Sequence, residues 1–294
     1  MPTKIEWTDE TWNPVTGCSK VSQGCKHCYA LREWPRLAAN PKATAYFGRE
    51  FTDVACHPER LDAPLRWTKP RKIFVNSMSD LFHENVPFEF NDRVFAVMGN
   101  AYCMDKGHIF QVLTKRPNRM LAYLTDPSTI SRVTLAMKAM GLGLAGENAA
   151  PTWPLPNVWL GVSVEDQTTA DERIPALLRS PAVVRWISAE PLLGEVDLRS
   201  VVMPDGDALG AVLYNDGEAA GLDWVVVGGE SGPKARPMLP DWARTLRDQC
   251  AEAHVPFLFK QWGECNAFME RVGKKAAGRL LDGVVHDGYP AQHF

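Results

Sequence analysis

Cys18, Cys25 and Cys28 follow one another at C-x6-C-x2-C spacing, in a loop that also carries Gly17, Gly24, His27 and Tyr29. Three thiolates on one short loop can hold three corners of a 4Fe–4S cubane and leave the fourth iron without a protein ligand. An open iron is what substrate or cofactor chemistry requires, whereas a cluster that only carries electrons is normally closed by a fourth Cys. Gly17 and Gly24 each stand immediately before a Cys, where a missing side chain would let the backbone wrap close to a cluster. The same thiols also allow a structural zinc site completed by His27, Cys56 or His57, or plain core thiols. Zinc ribbons and knuckles pair their ligands as two short-spaced doublets, and no second doublet occurs. Cys250 falls on an apolar helical stripe and Cys103 ends an apolar helix, so both read as core residues.

The elements that must hold this loop alternate. Near-continuous apolar runs at 73–76, 109–114, 158–164, 183–188, 224–227 and 256–260 read as strands buried on both faces, with weaker candidates at 10–15 and 52–56. Amphipathic stretches at 29–39, 58–67, 89–102, 168–178 and 241–253 read as helices, the last with Asp241 as N-cap. Strand–helix alternation predicts parallel βαβ units, hence α/β architecture with a doubly wound sheet or a full or partial barrel. Residues 1–294 read as one domain, with loop insertions at 141–156 and 202–221 that lack apolar periodicity.

Active sites of parallel α/β proteins assemble beyond the C-terminal ends of the strands. Here those ends are polar: Asn76-Ser77-Met78-Ser79-Asp80, Thr114-Lys115-Arg116, Ser163 with Glu165, Ser188-Ala189-Glu190, Gly228-Gly229-Glu230 and Lys260-Gln261. Asn76, Ser77 and Asp80 are placed to meet amino or ribose groups, and Lys115 and Arg116 to meet a carboxylate or phosphate. Glu165 and Glu190 could orient a substrate, or could pair with Lys115, Arg116 or Lys260 across the barrel mouth.

The net charge of −3 excludes a strongly basic nucleic-acid coat and leaves room only for a local groove. The turn Trp67-Thr68-Lys69-Pro70-Arg71-Lys72 is a candidate contact of that kind. No run approaches a membrane span, and the N-terminus does not resemble a signal peptide. A cytoplasmic protein is therefore expected, in which seven Cys point to metal rather than disulfides. His83 and His108 read as structural, and no Walker or dinucleotide fingerprint occurs.

Segments 13–29, 74–83, 113–117, 159–165, 188–194, 224–238 and 259–264 together resemble a phage-type three-Cys-motif family of unknown function. That family looks like a divergent branch of the radical S-adenosylmethionine enzymes. The usual superfamily motif is C-x3-C-x2-C with an aromatic before the last Cys; here the first gap is six residues and His27 takes that place. The resemblance implies a partial (β/α)6 TIM-like barrel carrying a 4Fe–4S cluster on Cys18, Cys25 and Cys28. It further implies reductive cleavage of S-adenosyl-L-methionine to a 5′-deoxyadenosyl radical, with a reductant such as flavodoxin or ferredoxin. The expected cofactor-binding set is Asn76, Ser77, Asp80, Lys115, Glu190, Glu230 and Lys260, and the expected substrate a small molecule, nucleotide or nucleic-acid base. Gly228-Gly229-Glu230 is similar to the Gly-Gly-Glu element that contacts the methionine amino group in such enzymes, although it follows a late strand; a tight turn with a capping acid is the alternative. Two rivals remain: a zinc- or cluster-stabilised binding module serving a nucleic-acid-processing protein, and an iron–sulfur redox sensor.

Overall fold

The computed structural model describes residues 3, 5–143, 151–202, 208–209 and 221–291. Seven strands form one sheet in chain order: β1 (Glu10–Trp12), β2 (Lys72–Val75), β3 (Ile109–Thr114), β4 (Val158–Ser163), β5 (Val184–Ala189), β6 (Trp224–Gly228) and β7 (Phe257–Gln261). Every neighbouring pair is parallel. β1 and β7 remain as edges, and the sheet curls into a half-barrel. The α/β class and parallel sheet match the sequence reading, but there are seven strands where six βα units were expected.

Helices fill the crossovers: α1 (Tyr29–Ala38) after β1, α2 (Phe88–Cys103) after β2, α3 (Pro117–Thr125) and α4 (Thr129–Ala139) after β3, α5 (Gln167–Arg179) after β4, and α6 (Pro240–Glu252) after β6. The expected helix at 58–67 is instead two short 3-10 turns, Pro58–Arg60 and Ala63–Arg66, because Pro64 has no N–H to carry an α-helix through. In α6, Leu239 is the N-cap and Pro240 takes the first helical position, so Asp241 lies one residue inside. Residues 144–150 of the first expected insertion and 203–207 and 210–220 of the second lie outside the described residues. Residues 151–156 are not a loose loop: Leu155 is buried and the Trp153 ring meets Phe95 at 5.8 Å. No helix among the described residues is long and apolar enough to cross a membrane.

Side chains alternate across a strand, and here both faces are filled. Ile73, Val75, Val112, Leu160, Ile187, Val227 and Phe259 face the helices and join one core with Phe95, Ile174 and Leu246. Phe74, Trp159, Trp186, Trp224, Val226 and Leu258 form a second core with Trp7. Trp186 lies 5.2 Å from both Trp7 and Trp224, ring centre to ring centre, and Trp159 lies 5.8 Å from Trp224. Gly161 permits this layer, since a Cβ there would strike the Trp186 indole. Towards the C-terminal ends, the residues in register with this face become Ser163, Ser188, Gly228 and Lys260. Small side chains above a floor of large ones leave a hollow at that end of the sheet.

Candidate functional site

The hollow is a cavity of about 530 Å3. Cys18, Cys25 and Cys28 line it, together with Asn76, Ser77, Asp80, Lys115, Glu190, Glu230 and Lys260. With Ser163, residues from six strand ends, spread over nearly two hundred positions of sequence, thus share one space with the cysteine loop.

The loop leaves β1 and is fixed by its backbone. Cys18 N donates to Phe51 O at 2.8 Å and Gly17 N to Met78 O at 3.2 Å. Gly17 adopts φ +90°, and a Cβ there would run into the Asp53 carbonyl; a Cβ on Gly24 would collide with the Glu165 carboxylate. Both glycines are thus required by their protein neighbours. Cys18 and Cys28 pack against a small apolar cluster of Ala30, Trp34, Ala45, Tyr46 and Phe51. Burial and the nearby Asp80 carboxylate push the Cys18 thiol up to about 12, with the Arg116 guanidinium, 3.8 Å from its sulfur, acting in the opposite direction.

All three cysteines are free thiols, and among the described residues no group of three or more His, Cys, Asp or Glu converges as a single ion would require. Of the candidate fourth ligands for zinc, His57 has both ring nitrogens engaged, Nε2 with Thr16 Oγ1 at 2.7 Å and Nδ1 with Glu59 at 3.2 Å. Cys56 pairs with Val15 through its backbone and keeps a free thiol, and His27 meets Glu230 Oε2 through Nδ1 at 2.9 Å. A cubane spreads its thiolates over separate irons, so three soft donors around one cavity fit it without meeting at a point.

The charged residues form three clusters and one separate pair. Glu165, fully buried, accepts from Ser22 at 2.9 Å and from Arg173 at 3.0 Å, and pairs with Lys115. Burial would raise its carboxyl, but Lys115 and Arg173 hold it below the usual range. Local sequence fixes this acid: Asp166 and Thr169 form a capping box at the start of α5, and Thr169 Oγ1 also accepts from Glu165 N at 2.8 Å. Two cations against one carboxylate leave Lys115 able to receive an anion.

Asp80 is the second centre. It accepts from Thr114 Oγ1 at 2.7 Å, Lys115 N at 3.0 Å and Arg116 at 3.2 Å, while Arg116 also pairs with Glu84 and donates to Ser19 Oγ at 2.8 Å. Glu230 is the third. Burial opposes its ionisation, but Arg236, at 2.6 Å, and His27 draw its carboxyl down to about 2. Arg236 also donates to Gln23 O at 3.0 Å. Glu230 is therefore a staple on the cysteine loop, neither a helix cap nor an acid with free oxygens. Lys260 pairs with Glu190 at 2.6 Å, the bridge across the mouth that the sequence offered as the alternative.

Free hydrogen-bonding capacity lies elsewhere. Asn76, held at φ +62°, accepts from Val15 N at 3.2 Å, but its buried Nδ2 has no partner within the protein. Gln261 donates to Glu190 at 3.2 Å and leaves its buried Oε1 unpaired. Ser77 Oγ donates to Asn13 Oδ1 at 3.2 Å. One unpaired donor and one unpaired acceptor, each on a buried cavity-lining side chain, are the features of a polar ligand site.

Ser19, Ser22, Arg173, Arg236 and Gln261 were not singled out as site residues from sequence. Ser19 and Ser22 lie between the cysteines, a position that could have marked them; Arg173 in the apolar face of α5 was a readable anomaly. His83 reaches the cysteine loop, with Nε2 at 2.8 Å from Ser19 Oγ, whereas His108 binds the Pro64 carbonyl at 3.1 Å as a structural group. The basic turn 67–72 stands at the opposite end of the sheet. Lys72 opens β2, and Arg71 pairs with Glu10 at 2.7 Å while lying over the Trp67 ring.

Residues 2–290 match a family described as a protein of unknown function, DUF5131, and the chain belongs to that family. Neither the curated proteins nor the solved structures gave a match.

Proposed function

We propose that this chain is a radical S-adenosylmethionine enzyme of the partial TIM-like barrel type, holding a 4Fe–4S cluster on Cys18, Cys25 and Cys28. The observation that carries the reading is the single cavity shared by three free thiols and the polar strand ends. With the cluster bound, one electron from an external reductant would break the S–C5′ bond of S-adenosylmethionine, giving methionine and a 5′-deoxyadenosyl radical that takes a hydrogen atom from substrate.

The chain's own residues supply position and exclusion of water. Lys115, in excess over Glu165 once Arg173 is counted, receives the methionine carboxylate. Asn76 Nδ2 and Gln261 Oε1 offer the unpaired donor and acceptor for a cofactor or substrate with groups of the opposite kind. Asp80 and Glu230, whose oxygens are already taken, act one step back: Asp80 orients Arg116 beside Cys18, and Glu230 fixes His27 and Arg236 against the loop. The Trp7, Trp186 and Trp224 floor closes the lower end against water.

Anaerobic reconstitution tests this reading. The expected result is about four irons per chain and an electron paramagnetic resonance signal of the reduced cluster that shifts when S-adenosylmethionine is added. Iron without that shift would promote the redox-sensor reading. Stoichiometric zinc and no iron would promote the binding module.

A further inference from the structure

The chain beyond β7 packs against the Glu230–Ala235 turn at the cavity rim and makes a short hairpin there. Cys265 bridges Arg271, and Asn266 Oδ1 accepts from Phe268 N at 2.9 Å and from Glu270 N at 3.0 Å. Met269, though not a glycine, is held at φ +62°. A turn this well bonded could have tucked its apolar side chains inward. Instead Phe268 is 80% exposed and Met269 51% exposed. Isolated exposed apolar residues are ordinary, but two large ones on a braced tip beside an open cavity point to a partner.

The hairpin is tied to the rim. Arg271 donates to Gly232 O at 3.4 Å and Ala235 O at 3.2 Å, and Arg32 donates to Ser231 O at 3.0 Å from the other side. Arg32, Ser231 and Lys274 line the cavity itself. Lys26, Lys234 and Lys275, on the same segments, are exposed and form no ion pair among the described residues. Of the rim carboxylates, Glu33 pairs with Arg36 at 3.2 Å and Glu264 meets Arg271 at 4.0 Å, while Glu270 accepts from the neutral Asn266 amide at 3.0 Å. An aromatic platform flanked by these three lysines is the combination that stacks a base and follows a phosphate backbone. Tyr29 and Phe74 continue the aromatic lining inward.

We propose that the cavity mouth is a landing site for single-stranded nucleic acid, with Phe268 stacking on a base while Arg271, Lys234 and Lys275 meet phosphates. A neighbouring base would then be presented to the cavity. A single strand fits because a base paired in a duplex cannot reach an enclosed site without leaving its stack. This surface is distinct from the basic turn 67–72, which faces away from the cavity. What would happen to the presented base rests on the radical-enzyme reading; the binding does not.

The test is fluorescence anisotropy with the full chain and labelled oligothymidylate, oligouridylate and a mixed-sequence duplex, over a range of salt. Single strands should bind better than duplex, and the two single-strand arms show whether DNA or RNA is preferred. Phe268→Ala should weaken single-strand binding roughly tenfold, and joint Lys234→Ala and Lys275→Ala should flatten the plot of log affinity against log salt by about one unit. All three residues are exposed, so folding should persist, as circular dichroism would check. No single-strand binding at low salt, equal binding of duplex, or indifference to Phe268→Ala would overturn the proposal. Cys18→Ala separates the two readings: it should lose iron and keep oligonucleotide binding. Iron and cofactor cleavage without oligonucleotide binding would sink the landing site alone, and binding without iron would sink the radical enzyme alone.

Discussion

The floor and the mouth of the half-barrel are built by the same strands and have opposite chemistry. At the floor, Trp7, Trp159, Trp186 and Trp224 pack edge to face or tilted. At the mouth stand Ser188 and Lys260, two residues beyond Trp186 on β5 and Leu258 on β7, and Ser163, four beyond Trp159 on β4, with acids and bases from the following loops paired around them. One or two steps of the two-residue strand period thus separate a layer that packs from a layer that lines the cavity. Stability and function should therefore come apart under substitution.

The largest expected effect is at the mouth. Cys18→Ala, Cys25→Ala or Cys28→Ala should each abolish iron incorporation measured by anaerobic metal analysis, whereas Cys103→Ala and Cys250→Ala should leave it unchanged. A cluster that survives loss of one loop thiol would break the contrast. At the floor, Trp186→Ala should cost about 3–5 kcal/mol in urea unfolding and spare the iron content of the protein that remains folded.

Glu165→Ala mixes the two regions, because it strands Arg173, 1% exposed, beside Lys115. A loss of about 3–5 kcal/mol is expected, together with slower cluster loading as the Ser22 contact disappears. Gln261→Leu, removing the unpaired acceptor and its companion donor, should weaken S-adenosylmethionine binding by roughly twofold to tenfold in calorimetry, with iron content kept. An unchanged affinity would show that this acceptor does not face the ligand.

The smallest effect is a pH dependence. Glu230 has its carboxyl drawn from an ordinary 4.5 to about 2 by Arg236 and His27, against the pull of burial. A depressed folded value means that the ionised acid adds stability above the ordinary value, which is lost as pH falls from about 4.5 towards about 2. Unfolding midpoints across that window should fall less steeply in Glu230→Gln than in the wild type. Parallel curves would show that the staple contributes nothing.

Much of this contrast was legible in sequence, for identifiable reasons. β3 was read at its observed bounds because a run of β-branched and apolar residues broken only by Gln111, between turns, has few alternatives. The mouth was legible because polar clusters after buried strands are costly unless gathered, and Asn76, Asp80, Lys115, Glu190, Glu230 and Lys260 do gather. Their partners were not legible. Whether Glu230 meets a cofactor or grips His27 and Arg236 depends on the course of a turn that periodicity does not describe. Both helices between β3 and β4, α3 and α4, were missed, and so was the Phe268 hairpin, since its bracing comes from Asn266 rather than from an apolar pattern. The opposed placement of the 67–72 turn follows from its position before β2, which decides the end of the sheet it occupies.

The central claim is that the thiols and polar strand ends form one reaction chamber for S-adenosylmethionine. The most direct measurement is 5′-deoxyadenosine formation by the anaerobically reconstituted, chemically reduced protein, quantified by mass spectrometry beside Cys25→Ala. The account predicts 5′-deoxyadenosine and methionine in equal amounts from the wild type and neither from the variant. A fully iron-loaded, reduced wild type that leaves S-adenosylmethionine intact would contradict it.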